Sequence, residues 1–317
     1  MNQPQIRDFQ GKHIHMIGIG GSSMSGLAEL LVKEGYHVSG SDRSNGYALE
    51  KLRKLGVTVH VGHAPENVHG ADLVVYTAAI LPDNPERVEM ERLGLPNMER
   101  AELLGQLMEG YAQAVGVCGT HGKTTTTSML SQILVECGKD PTVHIGGQLD
   151  AIGGSTRIGH GDTFLAEACE FKASFHHMHP TMAVVTNIEE DHLDFYKDID
   201  DIQASFRRFL GLLPPWGMAI GNGDDPRVKA ELDRLTCKHQ TFGMDEKSDW
   251  YPAELRYDAE GHGSFELMFQ GKRVCTMALK VPGAFNVMHA LAAVAAACAL
   301  GVAPEDAAQA LAHFAGA

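Results

Sequence analysis

The segment GVCGTHGKTTTT, residues 116–127, places glycines and a lysine ahead of four consecutive threonines. Threonine loses side-chain freedom in a helix, so local propensity does not explain a helix that begins here. The spacing approaches G-x-x-x-x-G-K-[ST], in which backbone N–H groups surround phosphate oxygens, the lysine reaches the outer phosphates and the hydroxyl binds magnesium. Gly122, Lys123 and Thr124 fit this pattern, although its first position is Val117. The segment predicts a phosphate-binding loop, and the alternative is a glycine turn capped by threonine hydroxyls.

The residues on either side of this loop favour the first interpretation. An apolar strand precedes it, and a helical pattern follows it and ends at Gly138. A bound phosphate stabilises the start of such a helix, which frees the threonines for ligand binding. The inward stripe of the helix is Met129, Leu130, Ile133 and Leu134.

Two acidic strand ends follow downstream, where ligands collect in open α/β sheets. FLAEACE supplies Glu167 and Glu170, and VVTNIEEDHLD supplies Asn187, Asp191, His192 and Asp194. Magnesium on a nucleotide takes one or two protein carboxylates, so Thr124 and one of the two glutamates suffice. A histidine at a second metal is less usual but chemically possible. The alternative for Glu170 is a solvated loop carboxylate.

The HHMHP segment at residues 176–180 resembles a metal cluster, but its spacing fits neither H-x-x-x-H nor a zinc ribbon. We therefore expect an ordinary helix end there.

A second glycine loop, GIGGSSMSG, follows the first strand and opens a helix, and Asp42 ends the next strand. This pattern is close to the dinucleotide fingerprint, but its third glycine position is Ser23. What remains is a diphosphate-binding turn with an acidic residue placed for a ribose hydroxyl. It suits NAD and a UDP-sugar equally well.

Strands that alternate with helices must position both loops, so the fold class is α/β. We expect a Rossmann-like, doubly wound sheet in residues 1–106 and a central P-loop α/β domain in residues 107–317. Alternating apolar and polar residues around glycine turns near residues 253–279 predict a small antiparallel appendage in the second domain.

The formal net charge of −14 argues against nucleic acid or an anionic membrane as a partner, because both are repelled by the whole-molecule field. The six cysteines are scattered, as is typical of reduced thiols. The N-terminus lacks an apolar signal core, and no run is long enough to span a membrane. These features predict a soluble cytoplasmic protein and specify no oligomeric state.

Taken together, GIGGSSMSG, SGSD, YTAAI, GTHGKTTTT, IGGQL, EACE, TNIEEDHLDFY and PGAFN resemble the Mur ligase family, from about residue 11 to the end of the chain. The resemblance implies an ATP-dependent ligase of peptidoglycan precursor synthesis. Such enzymes convert a substrate carboxylate into an acyl phosphate, which an amino-acid amine then attacks. The motifs are most similar to members that join L-alanine to UDP-N-acetylmuramate. Members have three domains, of which the first binds the UDP end of the substrate and the second binds ATP.

The resemblance also implies site residues. Lys123 would neutralise the transferring phosphoryl group. Glu170 would be the preferred carboxylate for Mg²⁺, and His192 would lie beside a second metal. The expected metal ligands are therefore Thr124, Glu170 and His192. Asn286 in PGAFN would contact the adenine nucleoside. The other expected ATP-binding residues are Gly119, Thr120, His121, Gly122 and Thr125. The expected substrate-binding residues are Gly20, Gly21, Ser22, Asp42, Thr77 and Asn187.

This chain departs from the family pattern in three places. Phe285 and His289 stand where a histidine and a second asparagine are frequent, and Arg207 stands where some relatives carry a carbamylated lysine. We therefore expect no carbamate ligand. We also expect the amino-acid-binding C-terminal domain to be absent, because LAHFAGA precedes the basic pair that opens it, so this chain binds substrates but ligates poorly.

Other functions stay open from the residues. A dehydrogenase would use the first loop for NAD but leaves the phosphate loop unexplained. A P-loop motor or GTPase leaves the first domain idle, and the N-K-x-D guanine signature is missing. A ligase that recycles murein tripeptide shares most of the motifs, and a non-catalytic nucleotide-binding module is a further alternative.

Overall fold

The computed structural model describes residues 3–316. The chain divides into two compact units, Met1–Gly110 and Tyr111–Ala317, here called the N-terminal and the C-terminal unit. The helix Arg100–Met108, which contains the expected boundary after residue 106, lies wholly in the N-terminal unit.

The N-terminal unit is built on a five-stranded parallel sheet in the order β3-β2-β1-β4-β5. Apolar residues at helical spacing in its first helix, among them Met24, Leu27 and Leu31, are buried. Its strands are β1 (His13–Ile17), β2 (His37–Asp42), β3 (Thr58–Val61), β4 (Leu73–Tyr76) and β5 (Asn97–Glu99). Its helices are α1 (Ser22–Lys33), α2 (Tyr47–Lys54), α3 (Pro85–Leu93) and α4 (Arg100–Met108), with 3-10 helices at Ile6–Phe9 and Pro65–Val68.

The C-terminal unit is built on a ten-stranded mixed sheet in the order β15-β14-β13-β12-β11-β10-β6-β9-β7-β8. Its strands are β6 (Gln113–Cys118), β7 (Thr142–Leu149), β8 (Gly154–Arg157), β9 (Thr163–Glu167), β10 (Met182–Val185), β11 (Met218–Asn222), β12 (Lys238–Phe242), β13 (Trp250–Tyr257), β14 (His262–Phe269) and β15 (Lys272–Pro282). Its helices are α5 (Lys123–Glu136), α6 (Ile199–Leu210), α7 (Pro226–Leu232), α8 (Ala284–Ala299) and α9 (Pro304–Leu311), with 3-10 helices at Asp150–Ile152 and Phe171–His177.

Helix α5 lies in the core of the C-terminal unit and packs against α8 and α9. All four residues of the predicted stripe are buried, and Gly138 follows the helix with a φ of 70°. Buried hydroxyls extend the contact around the helix, because Thr126, Ser128 and Ser131 are also buried. The second half of the threonine run, Thr126 and Thr127, therefore lies against the protein interior, whereas Thr124 and Thr125 are only partly buried.

The predicted α/β class is confirmed in both units. The antiparallel appendage is confirmed as β13, β14 and β15, which continue the large sheet beyond β12. Pattern analysis missed β12 because its residues, KHQTF, are mostly polar and partly exposed, unlike those of a buried parallel strand. The longest helix of the described chain has 16 residues, and none combines the length and apolar character that crossing a bilayer requires.

Candidate functional site

The phosphate loop, residues 116–124, connects β6 to α5 at the place where the sheet order reverses. β6 lies between β9 and β10, so the next strands along the chain fall on opposite sides of it. Crevices of this kind at the carboxyl ends of parallel strands are where open α/β sheets bind ligands. Helix α5 begins after Gly122 without a side-chain cap, so its first backbone N–H groups keep their donor capacity. They favour an anion at this position.

Two glycines of the loop are required by close contacts. Gly119 has a φ of 136°, and a Cβ there would lie 1.9 Å from the Thr186 hydroxyl oxygen. Gly122 has a φ of 83°, and its Cβ would lie 2.2 Å from Nε2 of His289. Any other residue would be strained at either position and would displace a neighbour.

Hydrogen bonds from the end of β10 fix the middle of the loop. The Asn187 side chain accepts from the His121 backbone N–H at 2.8 Å and donates to the His121 carbonyl at 3.0 Å. The Thr186 hydroxyl donates to the same carbonyl at 2.6 Å. The Thr120 hydroxyl accepts from the backbone N–H of Glu189 at 2.9 Å. Asn187, expected to contact substrate, thus holds the backbone of the phosphate loop.

Lys123 is held by the loop and by one buried carboxylate. Its Nζ donates to the carbonyl oxygens of Gly119 and Thr120 at 2.5 and 3.0 Å, and to Oε1 of Glu170 at 2.9 Å. Glu170 is only 2% exposed. Buried charges persist where they are paired, so this ion pair places one positive charge beside the N-terminus of α5.

The acidic side of the site fits a divalent cation. Oε2 of Glu170 is buried and has no hydrogen-bond partner within the described residues. Glu170, Asp191 and His192 bring one ligand atom each to within 4.8 Å of one another. Nε2 of His192 lies 3.7 Å from Oε1 of Glu170. A carboxylate-rich set with one histidine suits Mg²⁺ or Mn²⁺.

Glu167 is the second acidic neighbour of the phosphate loop, through Thr124. The Thr124 side chain hydrogen-bonds to Glu167, and the Gly146 backbone N–H donates to Oε1 of Glu167 at 3.0 Å. Burial raises the pKa of Glu167, although both hydrogen bonds oppose the shift. Both glutamates therefore border the phosphate loop, and Thr125 follows Thr124 in the first turn of α5.

Three residues near Glu170 adopt the left-handed backbone conformation without being glycine. These residues are Lys172, Ala173 and His192, with φ between 52° and 55°. Such conformations cost about 1–3 kcal/mol each and cluster at functional sites. These conformations change the chain direction shortly after Glu170 and at His192. The backbone therefore helps to position these two side chains.

The first turns of α8 border the phosphate loop. Asn286 is buried, and its side-chain amide donates to the Pro282 carbonyl at 2.7 Å. One turn later, His289 lies against Gly122, and burial lowers the pKa of His289 to about 4. The Phe285 ring is exposed, with its centroid 6.1 Å from that of His289.

The glycine turn of the N-terminal unit forms one wall of a second site. The Gly20 backbone N–H donates to Oδ2 of Asp42 at 2.9 Å, and helix α1 begins after Gly21 without a side-chain cap. A cleft of about 390 Å³ opens beside the turn, here called the N-terminal cleft. It is lined by Gly18, Gly21, Ser22, Ser23, Met24, Asp42, Arg43, His63, Thr77, Ala79, Ile80 and Arg100.

Several residues of the two sites were missed by sequence analysis. Arg43, Arg100 and His63 line the N-terminal cleft, and the two arginines supply positive charge there. Arg43 directly follows Asp42, which was the available signal, whereas Arg100 is distant in sequence. In the C-terminal unit, Cβ atoms on Gly146 and Gly147 would lie 2.9 Å from Glu167 and Thr124, respectively.

Two further expectations concern residues outside these sites. The HHMHP segment is a helix end as predicted, since the 3-10 helix ends at His177 and the His176 ring bonds to the Ser205 carbonyl at 2.9 Å. Arg207 forms a bidentate pair with Glu231 on α7, with both distances 2.8 Å.

Comparison with known proteins agrees with this arrangement. Residues 13–112 match the family model described as Mur ligase family, catalytic domain, and residues 117–297 match Mur ligase middle domain. The UDP-N-acetylmuramate–L-alanine ligase of Acetivibrio thermocellus is 47% identical over 306 residues, and that of Alkaliphilus metalliredigens is 45% identical over 297. The matches cover 96% and 94% of this chain but 65% of each relative's length.

Two solved structures match this chain along most of its length. A UDP-N-acetylmuramate:L-alanyl-gamma-D-glutamyl-meso-diaminopimelate ligase from Neisseria meningitides superimposes with a TM-score of 0.88 at 31% identity, covering 96% of this chain and 99% of that one. A UDP-N-acetylmuramate-alanine ligase from Thermotoga maritima gives 0.83 at 30% identity, covering 96% and 69%. With two matched family models across the two units, the chain belongs to the Mur ligase family.

Proposed function

We propose that this chain supplies the nucleotide and UDP-substrate sites of an ATP-dependent ligase that joins L-alanine to UDP-N-acetylmuramate, in the cytoplasm, during peptidoglycan precursor synthesis. In this reaction a carboxylate oxygen of the muramate attacks the γ-phosphorus of ATP, and the bond to ADP breaks. The amine of L-alanine then attacks the acyl phosphate, phosphate leaves and the amide forms with loss of a proton.

The observation that carries this proposal is the Lys123–Glu170 ion pair at the uncapped N-terminus of α5. The reaction brings an anionic carboxylate towards an anionic triphosphate, so the protein contributes positioning and positive charge. Lys123 supplies a positive charge whose position is fixed by hydrogen bonds to three oxygen atoms. The first N–H groups of α5 supply further hydrogen-bond donors. Such preorganised groups act strongly because they need no rearrangement during the reaction.

The metal is proposed to lie between Thr124 and the acidic residues. Glu170 is the preferred carboxylate ligand because one of its oxygen atoms is buried without a partner, and His192 is its neighbour. Bound Mg²⁺ would neutralise phosphate charge and polarise the phosphorus–oxygen bonds. His289 borders the loop on the side of α8, and His289 and Asn286, which lies one turn before it, are proposed to face the nucleoside of ATP.

The UDP end of the substrate is proposed to occupy the N-terminal cleft. Gly20, Gly21 and Ser22 form the turn at the start of α1, which suits a diphosphate. Asp42 follows as an acceptor for a ribose hydroxyl. Arg43 and Arg100 add the positive charge that an acidic protein must concentrate locally to bind an anion.

A second candidate uses the same two sites with a different amine. The structural neighbour at a TM-score of 0.88 is named for ligation of UDP-N-acetylmuramate to the tripeptide L-alanyl-gamma-D-glutamyl-meso-diaminopimelate. Its similarity favours tripeptide ligation as the alternative. The identity of 45–47% to L-alanine ligases favours L-alanine.

Calorimetry with hydrogen exchange tests the proposal on this chain. We expect UDP-N-acetylmuramate to bind without magnesium and protect peptides of residues 1–110, and Mg·ATP to protect residues 116–127 and the start of α8. Specific NADH binding in place of UDP-N-acetylmuramate would favour a dehydrogenase instead. Protection by UDP-N-acetylmuramate confined to the C-terminal unit would also contradict the proposal.

The amine is identified by mass detection of the product alongside phosphate release, with L-alanine and the tripeptide supplied separately. A larger rate with L-alanine supports the first candidate, and a larger rate with tripeptide supports the second. The binding measurements are independent of turnover, so they test the two sites even where ligation is slow.

A further inference from the structure

Glu86, in the first turn of α3, is a carboxylate with no exposed surface. Its Oε2 accepts from the Ser41 hydroxyl at 2.5 Å and lies 3.5 Å from Nδ1 of His63. Its Oε1 accepts from the Asn67 side-chain amide at 2.6 Å and from the Ala64 backbone N–H at 3.3 Å. Burial raises the pKa of this carboxyl, but hydrogen bonds from His15, Ser41 and Asn67 together outweigh burial and hold the pKa at about 2. Glu86 is therefore ionised at neutral pH and requires donors around it.

Ser41 connects this carboxylate to the glycine turn. It precedes Asp42 at the end of β2, and its backbone carbonyl accepts from the N–H groups of Gly18 and Ile19 at 2.8 and 3.0 Å. Its hydroxyl contacts Glu86 on one side and Nδ1 of His63, at 3.1 Å, on the other. One buried serine thus links the turn, the carboxylate and a side chain that lines the N-terminal cleft.

The direction of these hydrogen bonds is determined by chemistry. An ionised carboxylate can only accept, so the single Ser41 hydroxyl proton goes to Glu86. The serine oxygen then accepts from His63, which places a proton on Nδ1 of the ring. Nε2 of a neutral His63 carries the lone pair, and within residues 3–316 it has no hydrogen-bond partner.

The strand order indicates which part of a ligand meets His63. The glycine turn follows β1, Asp42 ends β2, and His63 follows β3, which is the next strand outward in the sheet. In sheets of this type the phosphates lie at the turn after the first strand and the ribose lies at the acid after the second. The end of the third strand then lies beside the nucleobase end of the nucleoside.

We propose that Glu86 is a positioning residue that, through Ser41, orients His63 and fixes its tautomer, so that Nε2 of His63 accepts a hydrogen bond from an N–H or O–H group of a nucleoside bound in the N-terminal cleft. This inference rests on the proposed function, which places the UDP end of the substrate there. The other charged or titratable neighbour of the carboxylate is buried His15, whose Nε2 lies 3.4 Å from Oε2.

Calorimetry with UDP, and separately with uridine, tests this assignment. We expect His63→Ala, Glu86→Gln and Ser41→Ala each to weaken binding of both probes by about 3- to 10-fold, because each removes or misdirects one neutral hydrogen bond. The double variant His63→Ala/Glu86→Gln should bind no more weakly than His63→Ala alone, since Glu86 acts through His63. Hydrogen exchange on the N-terminal unit checks that each variant is folded.

Glu89→Gln is the matched control. Glu89 lies on the same helix and also pairs with a histidine, His69, at 2.9 Å, but neither residue lines the cleft. Its UDP affinity should equal that of the wild type. Wild-type-like binding by both Glu86→Gln and Ser41→Ala would overturn the inference and leave the UDP site intact, as would an additive loss in the double variant. Absence of UDP binding to the wild type would overturn the UDP site itself, and the inference with it.

Discussion

The two units contain similar strand–turn–helix segments but differ in where their positively charged side chains lie and how these are paired. In the N-terminal unit the glycine turn leads to α1 without a side-chain cap, and Asp42 accepts a hydrogen bond from the turn. The positive charges beside this turn belong to Arg43 and Arg100, which are not part of the turn. In the C-terminal unit the cation belongs to the loop itself, and Lys123 is paired with a buried glutamate.

This difference matches the two proposed roles, substrate recognition in the N-terminal unit and chemistry in the C-terminal unit. Arg43 is exposed, and a charge near the surface acts through a high effective dielectric, so it attracts an anion without demanding exact placement. Lys123 and Glu170 are mostly buried, where a displaced charge costs far more. We therefore expect substitutions at the phosphate loop to have larger effects than those at the glycine turn.

The largest effect is expected for Lys123→Ala. Loss of one partner of a desolvated charge pair costs about 2–4 kcal/mol in binding, so affinity for Mg·ATP should fall by about 30- to 1,000-fold. UDP-N-acetylmuramate binding should be unchanged, because that ligand is proposed to lie in the other unit. Calorimetry provides both values, with substitution of exposed Lys238 on β12, Lys238→Ala, as the control. A loss below threefold would refute the role of Lys123.

The two units should lose stability in different pH ranges. Burial lowers the pKa of His289 from 6.5 to about 4, so the unfolded C-terminal unit binds more protons between these values. Its stability should fall as pH decreases from about 6.5 to about 4, by as much as about 3 kcal/mol. Trp216 and Trp250 both lie in this unit, so urea unfolding followed by tryptophan fluorescence measures it.

His289→Asn should remove that pH dependence. In the N-terminal unit, the lowered pKa of Glu86 makes the corresponding range about 4.5 to about 2, and stability again falls as pH decreases. Hydrogen exchange of residues 3–110 measures the stability of this unit across that pH range. In Glu86→Gln the stability should change little with pH over the same range. Identical pH profiles for both units would contradict this comparison.

Gly122→Ala should destabilise the C-terminal unit more than Gly138→Ala. Both glycines have positive φ, but a Cβ on Gly138 meets nothing within 4 Å, whereas one on Gly122 collides with His289. The collision should add about 1–3 kcal/mol to the backbone strain that both variants share. Urea unfolding measures the difference, and adding His289→Ala to Gly122→Ala should reduce it. Equal losses would show that His289 moves aside freely.

The smallest effect is expected for Arg207→Lys. The Arg207 guanidinium is held by Glu231 on α7 and not by the acidic residues of the site, so Mg·ATP affinity should stay within twofold of the wild type. Loss of the bidentate geometry should lower unfolding stability only slightly, because the Arg207 side chain is half exposed to solvent. A large change in Mg·ATP affinity would place this residue in the site.

Sequence patterns predicted the fold class and both glycine turns, because strand–turn–helix segments carry local signals. They also predicted that Glu167 and Glu170 lie at the end of one strand, and Glu167 is the last residue of β9. They did not predict that Asn187 bonds to the backbone of the phosphate loop or that His289 packs on Gly122. They also did not predict that Glu86 is buried. These contacts join residues far apart in sequence, and no periodicity encodes such pairs. β12 was missed because its side chains are largely polar.

The Lys123–Glu170 ion pair has a thermodynamic consequence for the proposed binding of metal and nucleotide. While paired, the two side chains neutralise one another, so a phosphate that engages Lys123 leaves a buried carboxylate uncompensated, and a cation that engages Glu170 leaves a buried ammonium uncompensated. When both ligands are bound, each charge has a new partner. With the two ligands bound as proposed above, metal and nucleotide would be cooperative, and linkage would require each to raise the affinity for the other by the same factor.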